Sequence, residues 1–434
     1  MFLPRSRSFA LVVAALAVGA AAACSDNLES NVACPVLCPG QAVTLRDTTL
    51  DAVVIDSSVS GFPSIGQESL ILISTRGDTI DSRAIFRFDT LPSTFTRSNS
   101  AVDTAIAGVD SAYLMLRVDT SAQRPGAPIT VSVYDVDTGN PDSTAADTAV
   151  ALLAPLFTAD RLLGSQTFDP DSITDSLRVP ISNDSLMAYI TAKRRLRVGV
   201  QVTGSNRAQL RVGTSVNLTP PEVVFKPAAH GDTANVTPLY VAPLTLTPVG
   251  SPLINSLQDF LLVVRGTSNP TASVLGVGGL PGHRVYLRFN LPSSIVDSST
   301  VVRATLLLNQ VPNPVSPDAH DSASVWPQAI LASAAVTDLS RALRLVSPVG
   351  GVGLDTLERF TPADSGLRQF EMVQLVRAWH VSLSATDPRA ISLRTEFEGA
   401  SGQLFWFTPS SGPLALRPKI RITYAPPQSR GNTP

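Results

Sequence analysis

The sequence predicts an all-β protein, built as two tandem jelly-roll-like β-sandwich domains, each with a short helix. Three observations carry that expectation. The chain holds 34 prolines and 27 glycines among abundant Ser, Thr, Val and Asp, the composition of many short strands joined by turns. Its apolar residues alternate with polar ones at a period of two, as in half-buried strands. It also resembles itself, one half to the other.

The repeat is legible in chain order. Arg83-Ala-Ile-Phe-Arg-Phe-Asp-Thr-Leu-Pro92 matches Arg284-Val-Tyr-Leu-Arg-Phe-Asn-Leu-Pro292 with one residue deleted. Ala84, Phe86 and Phe88 then share one face, as do Val285, Leu287 and Phe289. About 25 residues on, Ala112, Leu114 and Leu116 correspond to Ala304, Leu306 and Leu308, and Val133-Tyr134 falls on Val325-Trp326. Ser185–Lys193 and Glu371–His380 have apolar spacing near 3.6 and predict one short helix in each copy. Pro221–Phe225 mirrors Pro418–Tyr424 at the close, where Ile420, Ile422 and Tyr424 point inward. Two inward-facing apolar sets with no long helix describe two packed sheets.

The N-terminus carries Arg5 and Arg7, an apolar run from Phe9 to Ala23, and then Cys24. A basic start, a short apolar segment and small residues before a cut site make a secretory signal. At roughly 15 residues the run falls short of the ~20 that span a bilayer. Ala21-Ala22-Ala23-Cys24 resembles the lipobox of bacterial lipoproteins, which implies lipidation of Cys24 and a membrane held through that anchor. Ser25 in place of Asp points to the outer membrane. The expected organisation is a signal peptide at 1–24, a tether at 25–45, a first module at 46–227 and a linker at 228–237. A second module follows at 238–426, with a disordered tail at 427–434.

Cys34 and Cys38 are the remaining cysteines. In an oxidising compartment two nearby thiols most simply form a disulfide, with free thiols as the alternative. Charge is low, 16%, with a net of −2, so no basic field exists to attract nucleic acid. Four histidines, His230, His283, His320 and His380, fall in no metal-binding pair, and no Gly-x-Ser-x-Gly elbow occurs. No catalytic residue and no cofactor is expected. Asp135, Asp137 and Asp142, or Asp169, Asp171 and Asp175, are loop carboxylates that suit either solvent or a structural calcium. Sugar recognition needs aromatic faces beside polar groups. The candidates are Trp406, Trp326, Tyr134 and Tyr286, with Trp406 necessarily opposed to Phe405 and Phe407 on one strand.

Arg288-Phe289-Asn290-Leu291-Pro292, the Ala304–Leu308 strand, Val373–Trp379 and Pro418–Tyr424 together resemble the DNRLRE domain family. The second copy carries the fuller match, and the first lacks the helix Trp and the closing Thr-Tyr. That family is similar to carbohydrate-binding modules of secreted polysaccharide-degrading proteins. The resemblance implies a β-sandwich and an accessory role, with no catalytic residues to carry across. The resulting expectation is a non-catalytic surface lipoprotein whose two modules bind polysaccharide or envelope material. The alternatives are a protein-contacting scaffold and, behind it, a polysaccharide hydrolase or lyase.

Overall fold

The computed structural model describes residues 44–426 apart from 78, 122–123, 140–147, 206, 218–219, 229–232, 245–253, 331–357 and 383–388. Cys24, Cys34, Cys38, Asp142 and the 427–434 tail lie outside the described residues. The chain is all-β. Its first strands are β1 (Arg46–Phe62), β2 (Leu70–Arg76), β3 (Ile80–Phe88), β4 (Thr94–Thr96), β5 (Asp103–Ala105), β6 (Val109–Arg117) and β7 (Ile129–Asp135). A short helix α1 (Ala149–Leu153), β8 (Leu162–Phe168), β9 (Ser176–Pro180) and helix α2 (Asn183–Ala192) follow. Next come β10 (Leu196–Gly204), β11 (Ala208–Gly213), β12 (Glu222–Pro227), β13 (Leu239–Val241) and β14 (Asp259–Arg265). The remainder holds β15 (Leu275–Gly278), β16 (Gly282–Phe289), helix α3 (Ser293–Val296), β17 (Thr300–Val311), β18 (Ala323–Ile330), β19 (Glu358–Phe360) and β20 (Gly366–Glu371). Helix α4 (Val373–Ser382), β21 (Arg389–Thr395), β22 (Leu404–Phe407) and β23 (Lys419–Ala425) complete it.

The two halves share one strand order. The row β3-β10-β7-β8 recurs as β16-β21-β18-β19, and β11-β2 recurs as β22-β15. The opposite layer, β13-β12-β6-β9, recurs as β1-β23-β17, with β20 also on β17. All these pairings are antiparallel. Each half buries its own interior. Ala84, Phe86, Phe88, Leu114 and Val200 belong to one cluster, and Val285, Leu287, Phe289, Leu306, Ile420 and Ile422 to the other.

The helices sit where the 3.6 spacing places them. Ser182 caps α2 by accepting from the Ser185 amide at 3.2 Å, and Lys193 ends it at φ 48°. Leu186, Tyr189 and Ile190 face the first core, while Leu375, Val376 and Trp379 of α4 face the second.

The module boundaries differ from those the sequence suggests. Strand β1 does not pair within the first module. It runs beside β23 from Arg46 to Asp51, then beside β16 from Ala52 to Phe62 through three register shifts. Conversely β13 pairs β12, and β14 pairs β3. The first module is therefore the continuous stretch from β2 to β14, and residues 228–237 lie inside it. The second runs from β15 to β23 and is completed by β1. In register, Arg265 opposite Asp81 matches Phe62 opposite Gly282. Alternation tells which face of a strand is buried, not which sheet edge it occupies, so the pattern of β1 fits either home equally. Because β17 pairs β22 and β1 pairs both β23 and β16, the two layers of the second module join into one ten-stranded sheet.

Candidate ligand-binding site at the module junction

The crossings from β1 to β2 and from β14 to β15 bring the modules together, and between them opens a cleft of about 650 Å³. Its first-module wall is Gln209 and Arg211 of β11 with Ser121. The second module contributes the turn from Asp318 into β18, Arg359 of β19, and the connection from Glu396 to Gln403.

This junction is fastened by hydrogen bonds and charge. The Leu72 amide donates to the Gly399 carbonyl at 2.9 Å. Gly399 stands at φ +83°, a conformation that favours glycine, and a Cβ on Gly402 would lie 2.5 Å from Ile80 Cδ1, so a side chain there would have to displace that methyl group. Arg76 pairs with Asp318 at 2.9 Å, and Arg207 reaches Asp318 and Asp321 at 3.5 Å each. Arg211 pairs with Asp119 at 3.1 Å and donates to the Ala400 carbonyl at 3.0 Å. Its guanidinium lies 5.7 Å from the centroid of the Phe397 ring, within cation–π range. The Gln403 side-chain amide donates to the backbone carbonyls of Asp318 (3.2 Å) and Asp321. Phe397 remains 37% exposed, and His320 and Arg359 are exposed on the same cleft.

Beneath the cleft, charges are buried. Arg284 donates through Nε and a terminal nitrogen to both oxygens of Glu398, and its guanidinium lies 4.0 Å from the Phe62 ring centroid. Glu68, between β1 and β2, accepts from the Leu261 amide at 3.3 Å, while its other oxygen has no partner. Burial pushes its carboxyl up to about 8. Burial also raises Asp259, which accepts from the Ser215 amide at 2.7 Å and hydroxyl at 3.0 Å. Burial lowers His283, set between the Gly278 carbonyl and Asn269 Oδ1 at 3.2 Å each, and so favours its neutral form.

The four aromatic candidates do not meet. Phe405 and Phe407 are core, so Trp406 faces the other way and is half-buried. Tyr286 is fully buried and presents no ring to solvent. Trp326 is half-buried beneath Arg394, whose guanidinium is 4.8 Å from the ring centroid. Tyr134 packs on Phe157 at 5.2 Å in the other module. Tyr134 and Trp326 are also not equivalent. Tyr134 pairs with Gly199 and Trp326 with Arg394, and Gly199 corresponds to Ser392, which pairs with Gln328. Tyr134 therefore matches Gln328, a two-residue offset that preserves the face and so escapes a pattern match.

Of the loop carboxylates, Asp135 accepts from the Tyr189 hydroxyl at 2.5 Å and lies 3.5 Å from Arg161, and Asp137 pairs with Arg195 at 2.8 Å. Protein donors thus engage Asp135 and Asp137, while Asp169, Asp171 and Asp175 stand exposed. Among the described residues no cluster of three His, Cys, Asp or Glu suits a metal ion. Phe397, Arg211 and Arg359 carry no sequence signal, because they converge from three separated segments. His320, in Ser-Pro-Asp-Ala-His-Asp, shows only as a polar loop.

No family model matches the chain, and no curated protein matches it. Among solved structures, similarity extends to the VP2 subviral particle of infectious bursal disease virus, at 11% identity. That match covers 88% of this chain and 77% of that one with a TM-score of 0.14. PNGF-II is matched at 10% identity over 87% and 65% of the two chains, TM-score 0.15. The tandem CBM22-1-CBM22-2 domain of Paenibacillus barcinonensis Xyn10C is matched at 8% identity over 87% and 98%, TM-score 0.10. Scores this low carry no argument about function.

Proposed function

We propose that this chain is a non-catalytic surface lipoprotein, anchored through Cys24 at the outer membrane, that holds polysaccharide in the cleft between its modules. The observation that carries the reading is the cleft itself. It is a concave site of about 650 Å³ with a partly exposed ring and polar side chains converging from two modules, the combination that small-molecule and sugar sites use.

A binding role fits the electrostatics better than a hydrolytic one. Glycoside hydrolysis needs one carboxyl kept protonated at neutral pH and another ionised, facing one sugar. Among the described residues, Glu68 and Asp259 are the carboxyls raised above their ordinary range, and both are closed off from solvent. In the cleft, arginines hold Asp318 and Asp321 as ion-pair partners.

Affinity electrophoresis of the mature chain through gels containing a panel of soluble polysaccharides tests the reading. Retardation by at least one polysaccharide, without release of reducing sugar or unsaturated product, is expected. Unchanged mobility throughout the panel would remove it and leave a protein-contacting scaffold. For the anchor, C24S is expected to abolish acyl labelling and move the chain from the membrane to the soluble fraction.

A further inference from the structure

Resting on that reading, we infer that the junction cleft takes a neutral, hydroxyl-rich polysaccharide chain, and that Phe397 is its stacking platform. Two independent observations support this.

The first is charge balance. A site for an acidic polysaccharide needs cations left unmatched, because each carboxylate of the ligand loses water on binding and must regain a partner. Here three of the four arginines are already matched. Arg76 and Arg207 are taken by Asp318 and Asp321, and Arg211 by Asp119. The two lining charges beyond these pairs, Arg359 and Glu396, are of opposite sign. Counted together, four guanidinium groups stand against four carboxylates, so the cleft offers little net field to a polyanion. What it does offer is a polar lining. Ser322 and the side-chain nitrogen of Gln209 lie on its walls beside Ser121 and Ser401, whose hydroxyl protons go to Asp119 and Gln403 but whose oxygens can still accept, so donors and acceptors both remain, as hydroxyl groups require.

The second is the state of Phe397. Large apolar rings are usually buried, and one left 37% exposed on a concave polar surface is unusual in this chain, where Phe86, Phe88, Phe225, Phe260, Phe370, Phe405 and Phe407 are all fully buried. The ring is also held. The guanidinium of Arg211 covers it at 5.7 Å, and Arg211 is itself fixed by Asp119 and by the Ala400 carbonyl. A ring backed by a fixed cation loses little freedom when a sugar's C–H face settles on it, so its contribution is not consumed by ordering.

The experiment uses the full mature chain. Binding to neutral polysaccharides (xylan, mixed-linkage β-glucan, galactomannan) and acidic ones (alginate, polygalacturonate) is measured at low and at about 0.5 M salt, where the Debye length falls from tens of ångströms to roughly 4 Å. Expected are binding to a neutral polymer that changes less than twofold with salt, a loss of about tenfold or more in F397A, and recovery in F397W. Unchanged thermal midpoints in both variants would show the fold intact. Binding to acidic polymers alone, collapsing in salt, would overturn the neutral ligand while leaving the protein a polysaccharide binder. Full affinity in F397A would overturn the platform. No binding to any polymer would overturn this inference and the function on which it rests.

Discussion

The two modules repeat one strand order, yet they are closed differently. In the first, the closing strands follow their own sheet in sequence: β13 comes directly after its neighbour β12. In the second, the closing strand β1 is drawn from the far end of the chain, so that Arg46 pairs with Tyr424. The first module is thus a continuous unit threaded into a second whose two pieces flank it. The lesson is that a duplication can keep its fold while shifting its frame, because an edge strand is defined by the edge it covers rather than by when it is made.

The largest expected effect breaks that closure. Removing residues up to Phe62 strips Leu50 and Ala52 from the second core and exposes the edges of β16 and β23. Deletion is expected to abolish the cooperative unfolding of the second module and leave that of residues 63–265 intact, as followed by calorimetry and native-state hydrogen exchange. The rescue is more telling. Because β23 ends where β1 begins in register, joining Ala425 to Arg46 by a short hairpin turn in a chain that starts at residue 63 should restore two transitions. Failure of that permutant to fold, alongside an intact parent, would break the comparison.

The modules also differ on their outer faces. In the first, Ile85, Phe260 and Leu262 are covered by Ala149 and Leu153 of α1 and by Ile254, giving a separate apolar cluster. In the second, the position of Ile85 is Tyr286, and its neighbours across the strands are Ser392 and Gln328. Phe260 is 1% exposed, and F260A is expected to cost about 3–5 kcal/mol through lost transfer and a residual cavity. The change should fall on the first module's transition alone. If both transitions shift equally, the modules do not unfold separately.

Much of this was legible in the sequence, and what was not has a physical reason. The inward faces of β3, β6, β16, β17 and β23 follow from alternation, since an apolar residue at every second position has one sheltered side. Helices α2 and α4 follow from spacing. The ownership of β1 and β14 does not, because pairing partners are fixed by long-range contacts that leave no local trace. The exposure of the aromatic candidates is illegible for a related reason: period two says that Trp326 and Tyr286 share a side, but not that this side is solvent. Phe397 was overlooked because Glu396-Phe397-Glu398 reads as a turn, and only the fold brings it to Arg211.

Comparable in size is the pH dependence of the junction. Asp259 stands where the second module's closing strand has Val54, and Glu68 bonds to the strand that carries Asp259. A carboxyl raised to about 8 in the folded chain costs stability as pH rises. Below its ordinary value of 4.5 both states are protonated and nothing is lost. From there to about 8 the unfolded chain ionises while the folded chain does not, at about 1.4 kcal/mol per pH unit. Over that window the loss is of order 4–5 kcal/mol. E68Q cannot ionise, and keeps a group able to accept from the Leu261 amide. It is expected to flatten the fall in stability between pH 5 and 8, read as denaturation midpoints across pH. A slope unchanged by E68Q would assign the dependence elsewhere.

The smallest effect separates the two closures most finely. On β1, Asp47 accepts from Thr423 Oγ1 at 2.5 Å and from Arg421 at 3.0 Å. The Thr423 hydrogen bond and then Arg421 hold its carboxyl below the usual range. The corresponding pair in the first module is Pro238 and Val224, which can form no such contact. A strand that continues its own sheet is delivered to its edge by the chain, whereas β1 must find β23 across most of the sequence, and a polar latch selects its register. Both partners are half-exposed, at 59% and 50%, so water and salt screen most of the attraction. D47N is therefore expected to cost only about 0.5 kcal/mol. Since the folded carboxyl is depressed, this contribution is present above the unfolded pKa and disappears as pH falls through the folded one. It should also shrink in 0.5 M salt. The change should appear as faster exchange of the amides in β1 and β23, with β12 and β13 unaffected. Equal loosening of both closures would mean that Asp47 acts on the whole molecule rather than on the strand that returns to complete it.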